Sequence, residues 1–564
     1  MSGTRTAVRL LAPLMVVAVL WRPGVGLGRG QGQGQGQGQG TEGIVACDGF
    51  LPPLRRVEGR EVGPQSCLSR ETALTLEGRP FVRLDIGLDG TVDGYVTKTG
   101  DYKEYLTNAP DLVFGQTADP GRRYFAVARY ERNKGAAMSL VFPREARAWN
   151  GKLWVTAHGR GRSFAQGSLK RWDQYVDPAN PLRDLNKYDR LMLAKGYALA
   201  KTYRTSAEGL GEILATLDDG SAVDYAAFND SANYVKDFAE VAARALEARL
   251  GRGPRRRYFY GHSAGARIGR GLNYTPGLNR RPDGRPFFDG LLLDDAAAGG
   301  WLPVVLKEGR DVLFATDADK AGFVPQIDVT HQMYNNIWPS RKAEFMSASY
   351  LANKRNNARI LKEKGLAARH RIYEVRGISH SGGESLADGR DGEIQILDLS
   401  KLMAGVIDLL DRWVDKGEAP PPSRSDWAPL GDADGDGTIE HPAIAFPEVA
   451  CPLGIYYPYP TPTSGTTAFA AFTGEGLEPL DKQNVFADMN RNGVWDFRES
   501  LPEAWRRLGL LRPGETLTRE VYVACVERAA RALERDGFFS ADTVADYVSR
   551  ARQTDLQPEV SARR

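Results

Sequence analysis

The sequence predicts an α/β protein with a mainly parallel central sheet covered by helices, and three observations predict it. From about Pro80 onward, short strand-like runs alternate with longer runs whose apolar residues recur at helical spacing. Parallel strands cannot be joined by tight turns, so strand–helix–strand crossovers leave this alternation in a sequence. The run at 152–157 (KLWVTA) reads as a strand buried on both faces, as a helix-covered sheet requires. Gly261-His262-Ser263-Ala264-Gly265 follows a short apolar run and precedes a helical one. Glycines at that spacing suit a sharp turn from strand into helix.

The elements can be taken in order. Residues 81–86 (FVRLDI) and 123–130 (RYFAVARY) alternate as early strands do, and 197–203 (YALAKTY) reads as another. Between 234 and 250, Val235, Phe238, Val241, Ala245 and Leu246 share a helical face, and Gly251 supplies a stop. Tyr258-Phe259-Tyr260 is the short strand before the glycine turn, with a helix expected from Ala266. Further strands are expected at 290–293, 311–315 and 371–375, and an amphipathic helix near 397–416. Ala419-Pro420-Pro421-Pro422-Ser423 then forms a stiff, extended linker. Beyond it the chain becomes rich in Asp, Asn, Pro and Tyr.

Length and composition divide the chain further. At 564 residues it is too long for one compact core. Arg5 and Arg9 precede an apolar run at 10–20, the pattern of an export signal and too short for a membrane span of about 20 residues. Trp21, Arg22 and Pro23 interrupt the expected cleavage pattern, so the segment reads either as a removed signal or as an anchor. The expected organisation is a signal at 1–28, a Gly-Gln tether at 29–42, a cysteine-containing extension at 43–79, the α/β domain at 80–417 and a C-terminal region at 418–564. No later run is long and apolar enough to span a bilayer. The 74 basic and 71 acidic residues nearly cancel, which argues against a nucleic-acid partner. Arg255-Arg256-Arg257 reads as a solvated turn before a buried strand. A secreted or periplasmic location fits the signal, and the four cysteines fit two disulfides there. Of the three connectivities, the local one is expected, Cys47 with Cys67 and Cys451 with Cys525, because each pair falls within one module.

The glycine turn also carries chemistry. It would lift Ser263 to the top of the sheet with the positive end of a helix beneath it. A serine hydroxyl needs a base, and on such a sheet the base follows an acid in chain order. Of six histidines, His380 in Gly377-Ile378-Ser379-His380-Ser381 follows a strand directly and is the candidate base. His262 lies inside the turn with its side chain pointing away from Ser263, and His370 is expected to be exposed at a strand's start. Asp319, about four residues past the run at 312–315, is the favoured acid, with Asp317 and Asp328 as alternatives. Backbone amides of Ala264 and of Gly159 or Arg160 would hold a tetrahedral oxyanion.

Taken in order, His158-Gly159, Gly261 to Gly265, Asp319 and His380 resemble the α/β-hydrolase superfamily over roughly residues 80–417. More narrowly, Trp149-Asn150-Gly151-Lys152-Leu153 and 283–289 (DGRPFFD) resemble large exported bacterial esterases related to tannases and feruloyl esterases. Those enzymes carry cysteines beside the serine and histidine, where this chain has His262 and Ser381. The resemblance implies the α/β-hydrolase fold and acyl transfer without an organic cofactor.

Two later stretches have calcium-loop spacing. Asp432, Asp434, Asp436 and Glu440 occupy positions 1, 3, 5 and 9 of a loop with Gly437 at position 6, and Ala443 stands at position 12. Asp488, Asn490, Asn492, Asp496 and Glu499 occupy positions 1, 3, 5, 9 and 12 of a second, with Gly493 at position 6. Structural calcium is expected in both. The expected function is hydrolysis of a carboxylic ester, small or polymer-linked, through an acyl-enzyme. A peptidase or polyester depolymerase with the same triad, or a calcium-dependent surface protein on an inactive scaffold, are the rival readings.

Overall fold

The computed structural model describes residues 43–57, 60–89, 136–158, 185–203, 232–262, 264–274, 278–294, 316–331, 358–378, 397–456 and 500–556, with shorter pieces between them. Ten strands form one sheet: β1 (Ile44–Ala46), β2 (Ser66–Leu76), β3 (Arg79–Asp89), β4 (Ala136–Pro143), β5 (Lys152–His158), β6 (Ala198–Tyr203), β7 (Arg256–His262), β8 (Gly290–Asp294), β9 (Gln326–His331) and β10 (His370–Val375). Their order is β1-β2-β3-β4-β6-β5-β7-β8-β9-β10. The first four strands pair antiparallel, and β4 meets β6 in the same sense. From β6 through β10 every pairing is parallel. All the parallel strands therefore end at one edge, where loops can converge.

Helices cover both faces of the parallel half. On one face lie α2 (Ala232–Leu250) and α3 (Ala264–Tyr274). Val235, Phe238, Val241, Ala245 and Leu246 of α2 are buried in one cluster with Leu153, Val155, Phe259 and Leu291 of the sheet. The opposite face carries α1 (Lys187–Ala194) and α5 (Ser400–Lys416), packed on Trp154, Tyr258, Tyr260 and Leu292. Leu402, Met403, Val406, Ile407, Leu409, Leu410 and Trp413 form the buried stripe of α5. Burying each such side chain contributes about 2 kcal/mol, so the stripe holds the helix far more firmly than its propensity does. Gly417 ends α5 in a left-handed conformation, φ 72°, that any side chain would strain.

The chain beyond residue 417 adds to the same face. The α6 (Leu501–Arg507), α7 (Arg519–Arg535) and α8 (Ala541–Gln553) helices share one apolar cluster with α5 and the sheet. Trp505 is buried there and its Nε1 donates to the Pro452 carbonyl at 2.7 Å. Cys451 is bonded to Cys525, and Cys47 to Cys67, the local pairing expected from the sequence. The proline stretch runs along β10, where Tyr373 Oη donates to the Pro421 carbonyl at 2.9 Å. Arg424 and Ile444 then pair with Tyr373 and Val375 at the sheet's edge.

The structure differs from the expectations for 311–315 and for His370. Of the strand expected at 311–315, Asp311 pairs with Val304–Lys307 in a separate small sheet, and residues 312, 313 and 315 lie outside the described residues. Its place before β10 belongs to β9, whose Gln326, Asp328 and Thr330 alternate with Ile327 and Val329. These polar side chains are buried on the α3 face, where Asn273 and Arg270 bond Gln326 and Asp328, so the strand lacks an apolar signature. The strand expected near 123–130 is present as Tyr124–Ala128, in a three-stranded sheet apart from the main one. His370 is 5% exposed rather than solvated, with its Nε2 2.7 Å from Asp328 Oδ2. Among the described residues, no helix is long and apolar enough to cross a membrane.

Candidate active site

The turn from β7 into α3 is one residue long: His262 ends the strand and Ala264 begins the helix. Gly261 is required there by space. A Cβ on it would lie 2.5 Å from the Gly265 carbonyl oxygen and 2.8 Å from Ala266 Cα, both fixed backbone. Ser263 itself lies outside the described residues, and so does His380. The frame around them is described. Ala157 of β5 pairs in register with Gly261, so the chain leaving β5 toward Gly159 and Arg160 starts one strand spacing, about 4.8 Å, from the turn. Gly159 and Arg160 lie outside the described residues.

The segment leading to His380 is anchored. After β10, Arg376 pairs with Asp426 at 2.9 and 2.5 Å, Gly377 turns with φ 70°, and Ile378 is fully buried. It leaves the same edge of the sheet as the β7 turn.

Asp319 is placed elsewhere. It belongs to α4 (Asp317–Ala321), where its Oδ2 accepts from Thr316 N at 3.2 Å and Thr316 Oγ1 at 2.6 Å in a capping box. This helix precedes β9 and lies at the strands' N-terminal ends. Arg369, just before β10, donates to the carbonyls of Lys320 and Phe323. Asp319 and Asp317 are therefore separated from the Ser263 turn by the length of a six-residue strand, roughly 20 Å. The sequence reading set the acid after a strand at 311–315, whereas the described strand paired with β10 is β9. Asp328 is also engaged: Arg270 Nη2 lies at 3.0 Å, Gln326 Nε2 at 2.7 Å and His370 Nε2 at 2.7 Å. Burial opposes its ionisation, but Arg270, with His370 and Gln326, outweighs that and holds its carboxyl well below the usual carboxylate range.

One carboxylate at the correct edge was not anticipated. Asp294, the last residue of β8, is 0% exposed and pairs in register with His262. Its Oδ2 accepts from Tyr260 Oη at 2.9 Å and lies 2.9 Å from His262 Nδ1. A carboxylate can only accept, so the Nδ1 of His262 carries the proton. No local pattern marks Asp294, because its role follows from the register of two strands far apart in sequence.

The acidic loop is brought together in part. Single ligand atoms of Asp432, Asp434, Asp436 and Glu440 lie within 4.8 Å of one another. Gly435 and Gly437 take φ of 85° and 91°, and their amides donate to Asp432, holding its carboxyl below the ordinary range. Four carboxylates converging on one point form a donor set for a hard divalent cation. The Gly431 and His441 backbones close the loop with a 2.9 Å hydrogen bond. Asp488, Asn490, Asn492, Asp496 and Glu499 lie outside the described residues.

A parallel sheet of this order, with a glycine-bracketed strand-to-helix turn at its carboxyl edge, defines an α/β hydrolase. The family described as the alpha/beta hydrolase domain matches residues 179–549, and the chain belongs to it. No curated protein matches the chain. Among solved structures, TT1662 from Thermus thermophilus is 17% identical over 52% of this chain and 99% of that one, with a TM-score of 0.25. The poly(3-hydroxybutyrate) depolymerase LpqC from Bordetella parapertussis is 14% identical over 56% and 97%, with a TM-score of 0.26. A cold-adapted esterase from an Arctic intertidal metagenomic library is 14% identical over 53% and 97%, with a TM-score of 0.25.

Proposed function

We propose that the chain is an exported serine hydrolase that cleaves a carboxylic ester through an acyl-enzyme on Ser263. The observation that carries this reading is the one-residue turn between β7 and α3, whose Gly261 has no room for a side chain. Such a turn presents the hydroxyl of its central residue at the sheet's carboxyl edge. In the proposed mechanism His380 takes the Ser263 proton as the oxygen attacks the ester carbonyl. The amide of Ala264, with that of Gly159 or Arg160, holds the oxyanion. His380 then protonates the leaving alcohol, and water activated by the same base releases the acid. The acid that orients His380 must come from the carboxyl edge, which Asp319 does not share.

The two disulfides support export into an oxidising compartment. Calcium in the 432–440 loop would be structural: Asp432, Asp434, Asp436 and Glu440 would hold it and neutralise their mutual repulsion. Its removal by EDTA dialysis is expected to lower the melting temperature, and an unchanged melting curve would argue against occupancy.

A fluorophosphonate probe tests the chemistry. Wild type should be labelled and Ser263→Ala should not; equal labelling of both, or of neither, removes the reading. A panel of short-chain, long-chain, galloyl, feruloyl and polyester substrates, with a peptide control, then separates the ester classes from peptidase activity.

A further inference from the structure

Among the described residues, the buried polar cluster nearest the proposed nucleophile in sequence is Tyr260, His262 and Asp294. It sits at the ends of β7 and β8, on the face covered by α1 and α5, and His262 is the residue before Ser263. Around it that face is aromatic and aliphatic, with Tyr258, Leu292 and Val329 all buried. A buried carboxylate–imidazole pair contributes less stability than well-packed apolar side chains of similar volume. Stability alone therefore gives a weak account of the pair, while its location gives a specific one.

We infer that Asp294 is a positioning residue for Ser263, acting through His262. The inference rests on the proposed reading of Ser263 as the nucleophile. The turn has a single residue in which to reverse from strand to helix. On its far side α3 begins at once, and on its near side Gly261 lies against the Gly265 backbone. The side chain of His262 is the remaining handle on the turn's strand side. Asp294 Oδ2 grips its Nδ1 from the neighbouring strand, and Tyr260 Oη fixes the same oxygen. With two partners on one oxygen, the carboxylate is held in one orientation. The His262 side chain, and with it the end of β7 from which the chain passes to Ser263, is therefore held in place.

The test compares full-length wild type with Asp294→Asn, His262→Gln, the double variant and Tyr260→Phe. Turnover of a chromogenic short-chain ester, the rate of fluorophosphonate labelling and thermal melting are recorded for each. Asp294→Asn and His262→Gln should each lower kcat and the labelling rate about tenfold to hundredfold, the scale of a misplaced reacting group. KM should stay within about twofold, because substrate binding does not use the pair. The double variant should be no worse than either single one, since the two side chains act in series. Tyr260→Phe removes one hydrogen bond and keeps the His262–Asp294 contact, so it should fold and lose only about threefold.

Unchanged kcat in Asp294→Asn or in His262→Gln would overturn the inference. So would a loss in Asp294→Asn a hundredfold greater than in His262→Gln, which would make Asp294 act on the base instead. A rise in KM equal to the fall in kcat/KM would assign the pair to substrate binding and also overturn it. If a single variant does not fold, the other and Tyr260→Phe decide the outcome by the same criteria. Failure of wild type to be labelled at Ser263 is a different result, and it removes the nucleophile itself.

Discussion

Lys152 Nζ lies 2.5 Å from Asp411 Oδ2, tying the first residue of β5 to the middle of α5 across the sheet's N-terminal edge. The ammonium also reaches Asp415 Oδ2 at 2.8 Å, and Tyr258 Oη donates to Asp411 Oδ1 at 2.6 Å. Lys152 is nearly buried, so its removal takes the cation from Asp411 and leaves Asp415 with Arg255 and Arg256. Lys152→Met is expected to cost about 3 kcal/mol in urea unfolding, within the range for a broken buried pair. Adding Asp411→Leu should recover part of that loss. Equal stability of Lys152→Met and wild type would show that the network carries no net energy.

The same network sets part of the acid stability. Burial alone would raise the Asp415 pKa, but hydrogen bonds from Lys152, Arg256 and Arg255 outweigh it and bring the pKa from 3.8 to about 2. A carboxyl with a depressed folded pKa adds stability above its unfolded value and loses it as pH falls through the folded one. Its contribution, on the order of 2 kcal/mol, should be complete above about pH 4 and vanish toward pH 2. Urea midpoints between pH 2 and 5 should therefore slope less in Asp415→Asn than in wild type. Parallel slopes in the two proteins would contradict the assignment.

Asp319 is expected to matter for folding and not for turnover. Its carboxylate caps α4 through Thr316, at the edge of the sheet away from Ser263. Asp319→Ala should lower stability by about 1 kcal/mol, the usual effect of a lost helix cap. Ester turnover at saturating substrate should stay close to wild type. A thousandfold loss with an intact fold would place Asp319 at the chemistry after all.

The segment around Asp319 shows where legibility ended. The α2 and α5 helices were readable because their buried residues recur at helical spacing, and β5 and β7 because their cores are apolar. The β9 strand was not, because Gln326, Asp328 and Thr330 look solvated until Arg270, Asn273 and His370 arrive from other elements. Without β9 the expected acid was set after 311–315, and Asp319 lies before β9, at the N-terminal end of that strand. The glycine turn was legible since its steric requirement is local. The His262–Asp294 contact was not, because it depends on Asp294 pairing in register with His262 across a 32-residue separation.

That local requirement is itself testable. A Cβ at position 261 would meet the Gly265 carbonyl and Ala266 Cα, atoms of the helix start that cannot move without moving the turn. Gly261→Ala should therefore displace the first turn of α3, with an overpacking cost of about 1–3 kcal/mol. Because residue 263 lies between the two clashing parts, reactivity should suffer more than stability. Fluorophosphonate labelling is expected to fall at least tenfold, on the scale of a misplaced nucleophile. Gly251→Ala is the control: its glycine has a positive φ of 75°, and a Cβ there meets nothing within 4 Å. It should lower stability modestly and leave labelling unchanged. If Gly261→Ala labels as fast as wild type, the close packing of strand and helix at this turn does not set the position of residue 263.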